Sequence, residues 1–168
     1  DQDPIDHHLE VIADKTGSLI AASGWYGALM AGASAEHVTI LTQFGERIGV
    51  AFQLADDLVD ITSESMQSGK TPGTDLREGI PTLAALFVRL SSDPSDARLQ
   101  ELLSRPLTDD GEHAEALAML RAHEGVVLAQ RQARAWADSA RELLVDLPSC
   151  PARDVLGSLC DYVVSRTG

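Results

Sequence analysis

The run VAFQLADDLVDI at positions 50–61 places three aspartates inside an otherwise apolar stretch. At about 100° per residue, a helix puts Gln53, Asp56, Asp57 and Asp60 on one face, spaced i, i+3, i+4 and i+7. Phe52, Ala55, Leu58 and Val59 cover much of the remaining surface. Carboxylates this close repel one another, and burying them unpaired is expensive. Two arrangements relieve the conflict. One is a solvated polar face. The other is a hard divalent cation with oxygen ligands, and Mg²⁺ in particular takes one or two carboxylates together with substrate phosphates.

The residues that follow, TSESMQSGKTPGTDLREGIPTL, break the helical pattern with Gly69, Gly73 and Gly79 and with Pro72 and Pro81, which marks a loop. Lys70 sits inside it. A carboxylate face followed by a lysine-bearing loop is suited to holding a cation and an anionic oxygen group together. QLADDLVDI followed by GKTPGTDLREG resembles the second aspartate-rich motif and following loop of the trans-polyprenyl diphosphate synthases. Lys15-Thr16 in the preceding helix resembles that family's Lys-Thr pair. The resemblance runs from about Pro4 to Tyr162-Val163-Val164, and it covers only about the second half of a family member. The combined motif is specific, whereas a bare DDxxD is not.

At 168 residues, the chain is long enough for one domain with a real core. It is 44% hydrophobic but only 4% aromatic, and most of its length reads as helix. That composition favours all-α packing over a sandwich or barrel built from Val, Ile and aromatic strands. No apolar run approaches the length of a membrane span, and no signal peptide opens the chain. A net charge of −13 argues against nucleic acid, whose phosphates call for a basic surface. Cys150 and Cys160 lack zinc-ligand spacing and read as reduced structural residues of a cytoplasmic protein. The five histidines show no HExxH or other ligand spacing and read as surface or helix-capping residues. Of 13 basic residues only Lys15 and Lys70 are lysines, and there is no asparagine. Lysines kept at these two places suggest a need for a compact ammonium there.

In chain order, Asp3 as N-cap, Pro4 at the first helical position and Asp6 in the first turn start a helix expected to end near Gly32. Ser34 caps a second helix expected to run to about Thr62. If the two form an antiparallel hairpin about residues 32–33, Lys15 lies about 24 Å from the turn, Gln53 about 28 Å and Asp56 about 33 Å. Lysine and carboxylates then sit at similar heights. A short apolar helix is expected over Pro81–Leu90 and another from Asp93-Pro94, ended by Pro106. A helix capped by Thr108 or Asp109 follows, interrupted at Gly125. Ala133, Trp136, Ala137, Ala140 and Leu144 mark a packing face of the next helix, and PSCP separates it from the last. No domain linker is visible, so residues 1–168 read as a single helical domain.

What the resemblance implies is an all-α fold, the C-terminal half of an isoprenoid-synthase-type helical bundle. It also implies a Mg²⁺-dependent condensation of isopentenyl diphosphate with an allylic diphosphate. By position, Asp56 corresponds to the direct Mg²⁺ ligand of the second motif, and Asp57 and Asp60 ligate the metal or hold its water. Lys15, Thr16 and Lys70 correspond to allylic-diphosphate contacts. Gln53 lies beside the diphosphate and reacting carbons, Phe52 in an apolar wall, and Asp75 behind the metal. Ile80 departs from the pattern, because many members carry lysine there. The first aspartate-rich motif and the isopentenyl-diphosphate site belong to the family's N-terminal half. The chain is therefore expected either to be part of a longer enzyme or to be a short subunit, active with that half or a partner in a homo- or hetero-oligomer. A non-catalytic regulatory subunit and a plain helical interaction module are the competing readings.

Overall fold

The computed structural model describes residues 2–63 and 72–166, and every element among them is helical. The chain divides into two compact units, Asp1–Ala55 with Gln132–Arg166, and Asp56–Arg131.

In the first unit, α1 spans Pro4–Ile12, and its N-cap forms as expected, with the Asp3 carboxylate accepting from the Ile5 N–H at 2.7 Å. The helix does not run unbroken to Gly32. A π turn at Ala13–Gly17 intervenes, closed by the Ser18 N–H bonding the Ala13 carbonyl five residues back, before α2 resumes at Ser18–Met30. The side-chain pattern cannot show such a turn, because its cause is tertiary. Gly17 packs against the neighbouring helix so closely that a Cβ there would stand 3.1 Å from the Glu46 carbonyl oxygen. Gly32, at φ +70°, then ends the helix, with Ala33 N–H returning to the Ala28 carbonyl at 3.0 Å. This left-handed stop suits glycine, which has no Cβ to clash.

Helix α3 is Ala35–Thr62, and the Ser34 hydroxyl accepts from the His37 N–H at its start. It packs on α2 backbone to backbone. A Cβ on Gly24 would come within 2.3 Å of the Leu41 oxygen, one on Gly45 within 2.6 Å of the Ile20 oxygen, and one on Gly49 within 2.8 Å of the Gly17 Cα. Only hydrogen fits at these crossings. The opposite side of α3 buries Phe44, Ile48, Ala51 and Ala55 against Ala137, Ala140 and Leu144, and against Cys160, Val163 and Val164. These partners come from α8 (Glu124–Leu143, whose first half belongs to the other unit), a 3₁₀ turn at Leu144–Asp146, and the last helix, Pro151–Ser165. Ala133 is also buried, and Trp136 packs against the cluster, as the spacing of that face implies. Both cysteines are free, Cys150 exposed and Cys160 buried, and burial pushes the Cys160 thiol pKa up.

In the second unit, α4 spans Thr74–Glu78, a short helix where the sequence reads as loop. It fits because Gly73 and Gly79, both left-handed, turn the chain at its two ends. Then come α5 (Leu83–Leu90, capped by Thr82), a 3₁₀ turn at Pro94–Asp96, α6 (Ala97–Leu102) and α7 (Asp110–Ala122). Asp109, not Thr108, caps α7 by accepting from the Gly111 and Glu112 N–H groups. The break before α8 falls at His123 and not at Gly125, since His123 is extended and its Nδ1 accepts the Gly125 N–H at 2.8 Å. Leu58, Ile61, Leu76, Leu83, Leu99, Leu102, Leu107, Leu117 and Leu120 form this unit's interior. Arg98 pairs with Glu101 and Glu115, and Arg105 with Glu112, on its surface.

No helix among the described residues is long and apolar enough to cross a membrane. Helix α2 is apolar nearly all round, and Leu19, Tyr26, Leu29 and Met30 on it are exposed.

Candidate functional site

In the first unit, the π turn presents Lys15 and Thr16. Lys15 is exposed and Thr16 half-buried. The Thr16 hydroxyl donates to the Gln53 amide oxygen at 3.0 Å, which ties the turn to α3. Gly17 lies against Glu46 and Val50, so Lys15 does fall level with the Gln53 region, as the hairpin arithmetic implies. Phe52 is 42% exposed, with the Arg166 guanidinium 5.5 Å above its ring. It does not join the buried side of α3, which is formed by Ala51, Leu54, Ala55, Leu58 and Ile61. The reason is angular: Phe52 precedes Gln53 and flanks the polar face, well away from the centre of the buried arc.

The second unit holds the aspartates. Asp56 is exposed, and Asp57, Asp60 and Asp75 are half-buried. The neighbours Leu54, Ala55, Leu58 and Ile61 are buried, so the expected single polar face exists. Asp60 carries the most defined geometry. Its backbone carbonyl accepts from Gly73 N–H at 2.9 Å, its Oδ1 from Thr74 N–H at 3.2 Å, and its Oδ2 from Asp75 N–H at 3.2 Å. Asp60, the motif's last aspartate, thus holds the returning chain at three consecutive amides, one through its backbone carbonyl and two through its carboxylate. Asp75 is brought beside Asp60 by that return. Lys70 and Gly69 lie outside the described residues. Ile80 is 46% exposed, and its N–H bonds the Asp75 carbonyl at 2.8 Å.

Two residues of α7 that the sequence reading passed over hold the chain on either side of residues 64–71. The Arg121 guanidinium donates to the Ile61 carbonyl at 2.6 Å and to the Ser63 carbonyl at 2.8 Å, satisfying carbonyls that a helix end leaves open. The His113 ring lies 2.8 Å from the Gly73 oxygen through Nε2. His113 is 5% exposed, which corrects the expectation that the histidines are surface or capping residues. His123 does cap. The signal for His113 was available: His113, Ala116, Leu117 and Leu120 share an i, i+3, i+4, i+7 stripe, and all four are buried.

The possible ligands of a cation are carboxylate oxygens alone, a donor set that suits a hard divalent ion. Among the described residues, no three His, Cys, Asp or Glu side chains gather into a cage able to hold an ion.

The fold and these residues define an all-helical chain with a carboxylate helix face clasped by the loop that returns to it. Residues 1–120 match the family model described as Polyprenyl synthetase, and the chain belongs to that family. A nonaprenyl diphosphate synthase of Mycobacterium tuberculosis is 48% identical over 99% of this chain and 50% of its own length. A dimethylallyltranstransferase of the same organism is 39% identical over 97% of this chain and 49% of its own. In structure, geranylgeranyl pyrophosphate synthase from Corynebacterium glutamicum, complexed with calcium and isoprenyl diphosphate, superposes with a TM-score of 0.91. It shows 39% identity and covers all of this chain and 52% of the other. The chain spans about half the length of the curated relatives it matches.

Proposed function

We propose that this chain carries the second metal motif of a trans-polyprenyl diphosphate synthase, which condenses isopentenyl diphosphate with an allylic diphosphate. The observation that carries the reading is the clasped carboxylate face of α3, in a chain 48% identical to a nonaprenyl diphosphate synthase. In the reaction, the allylic C–O bond breaks and its electron pair leaves with the diphosphate. The alkene of isopentenyl diphosphate attacks the allylic cation, a new C–C bond forms, and a proton is lost.

A bound Mg²⁺ supplies positive charge against the departing diphosphate. The calcium in the Corynebacterium structure supports a divalent ion, and Mg²⁺ is the hard cation that combines one or two carboxylates with substrate phosphates. Asp56, the most exposed of the three motif aspartates, is the proposed direct ligand. Asp57 ligates or holds metal-bound water. Asp60, with both carboxylate oxygens accepting amides, orients the loop and Asp75 as well as facing the ion. Lys15 and Lys70 contact the allylic diphosphate, with Thr16 beside them. The Thr16 hydrogen bond fixes the amide of Gln53 beside the reacting carbons. Phe52 contributes apolar surface that helps keep water from the cation.

The remaining ligands and the isopentenyl-diphosphate site come from the N-terminal half of the enzyme or from a partner subunit. The exposed apolar residues of α2 support such covering. So does a 34% identical relative named component 2 of a heptaprenyl diphosphate synthase. The reading places the enzyme in the cytoplasm.

The test is product formation by the full gene product from isopentenyl diphosphate with short and long allylic diphosphates. Transfer that stops with chelator and returns with Mg²⁺ is expected. Absence of transfer with every allylic substrate, from a folded protein, overturns the proposal.

A further inference from the structure

We propose that His113, a residue outside the carboxylate motif, is a positioning residue for it, acting through Gly73. The inference rests on the proposed role of the α3 aspartates, and its geometry lies wholly within the second unit. A backbone carbonyl can only accept, so the His113 Nε2 at 2.8 Å from the Gly73 oxygen must carry the proton and donate. Gly73 gives its own N–H to the Asp60 carbonyl, and the next two amides, Thr74 and Asp75, take Oδ1 and Oδ2 of Asp60. The imidazole therefore holds the carbonyl of the very peptide whose N–H, that of Thr74, reaches Asp60 Oδ1, and so bears directly on the clasp that sets the Asp60 carboxylate and delivers Asp75.

The fit is close on the other side as well. Gly73 is left-handed at φ +75°, and a Cβ there would lie 2.8 Å from His113 Nε2 and 3.3 Å from Leu117 Cδ1. Ring and glycine occupy one another's space, so the turn has little freedom to rotate its amides away from Asp60. A buried side chain with no hydrogen bond to donate would leave the Gly73 carbonyl without this partner and the turn free to re-aim. The side chain that matters is a donor of the right reach, not an acid or base.

That distinction gives the experiment, made in the full gene product. Gln places an amide N–H near the His Nε2 position, Asn near Nδ1, and Leu offers no donor. The readouts are amide hydrogen exchange at Gly73, Thr74 and Asp75, the Mg²⁺ concentration for half-maximal turnover, and the melting temperature. His113→Leu and His113→Asn are expected to speed exchange at these three amides by at least tenfold and to raise the Mg²⁺ requirement severalfold. His113→Gln stays within about threefold of wild type in both. If Leu fails to fold, the Gln and Asn pair decides. Equal exchange and equal Mg²⁺ dependence for Gln and Asn overturn the proposal. So does a Leu variant that lowers only the melting temperature and leaves both other readouts unmoved, which would make His113 a core residue and nothing more. If the wild-type protein proves inactive, the proposed function fails by itself, while exchange at Thr74 and Asp75 still decides the role of His113.

Discussion

Lys15 and Thr16 ride on a helix that meets its neighbour through bare backbone, whereas Asp60 and Asp75 are joined by hydrogen bonds across a chain reversal. In the first unit, glycines at 24, 45 and 49 leave room only for hydrogen, and Gly17, at the end of the π turn, packs nearly as closely. In the second, the clasp consists of three amides on Asp60, with one imidazole behind it and one guanidinium where α3 ends. Packing tolerates no added volume but is indifferent to charge. A hydrogen-bonded clasp tolerates little change of donor or acceptor. The two regions should therefore break in different ways.

The sharpest break is expected at Gly45→Ala. The new Cβ meets backbone atoms of Ile20 and Ala21 at 2.6 to 2.8 Å, so α2 must move as a whole. Overpacking of this kind should cost about 3 kcal/mol, even after the roughly 1 kcal/mol that alanine gains over glycine in a helix. Gly27→Ala in α2 is the control. Nothing lies within 4 Å of its Cβ, so it should raise stability by up to about 1 kcal/mol. Urea melts of both variants check the claim, and equal effects would remove the contrast.

Asp56→Ala should do the opposite of Gly45→Ala, sparing the fold and stopping the chemistry. Asp56 is exposed, so its removal should change stability by no more than about 0.5 kcal/mol. Loss of a ligand to the ion that offsets charge on the leaving diphosphate should slow turnover roughly 100-fold or more. Turnover within about threefold of wild type would reject Asp56 as the metal ligand.

Lys15→Arg comes next, at about tenfold in kcat/KM for the allylic substrate, with unchanged melting. A planar fork does not fill the place of a compact ammonium. Unchanged kinetics would mean that the scarcity of lysine carries no message.

The smallest effect expected is in acid, and it concerns the second unit. Hydrogen bonds from Arg105 and Arg98 hold the Glu112 and Glu115 carboxyls below their usual range, and Ser91 with His123 does the same for Asp96. Carboxylates lowered in the folded state stabilise above their unfolded pKa and lose that contribution as pH falls through the folded value. Melting should therefore stay flat from pH 7 to about 5 and decline below about 4.5. The decline should shrink in high salt, because the two arginine–glutamate pairs are at the surface. A decline that begins near pH 6 would point to histidine instead.

Much of the carboxylate helix was legible because its signal is local. The spacing of Gln53, Asp56, Asp57 and Asp60 against Leu54, Ala55, Leu58 and Ile61 needs only the helical period. Caps at Asp3, Ser34 or Asp109, and the stop at Gly32, are also set by neighbours in sequence. The π turn was not legible, since its cause is the approach of Gly17 to Glu46, far along the chain. The short helix at Thr74–Glu78 was hidden by flanking glycines that read as breakers and act as its boundaries. The burial of His113 is written in its helical stripe, but its partner, like those of Arg121, is a backbone oxygen, which no side-chain pattern records.

The π turn at Ala13–Gly17 also bears on how chain lengths should be compared. Its hydrogen bond spans one residue more than an α turn, so it absorbs a single extra residue while α1 and α2 on either side keep their own phase. A relative one residue shorter at this point could run straight through as α-helix, with both flanks packed as before. Only the placement of the Lys-Thr pair within the turn would change. A one-residue gap opposite positions 13–17 is thus a change in what the helix presents, whereas the same gap in a surface loop would be mere trimming.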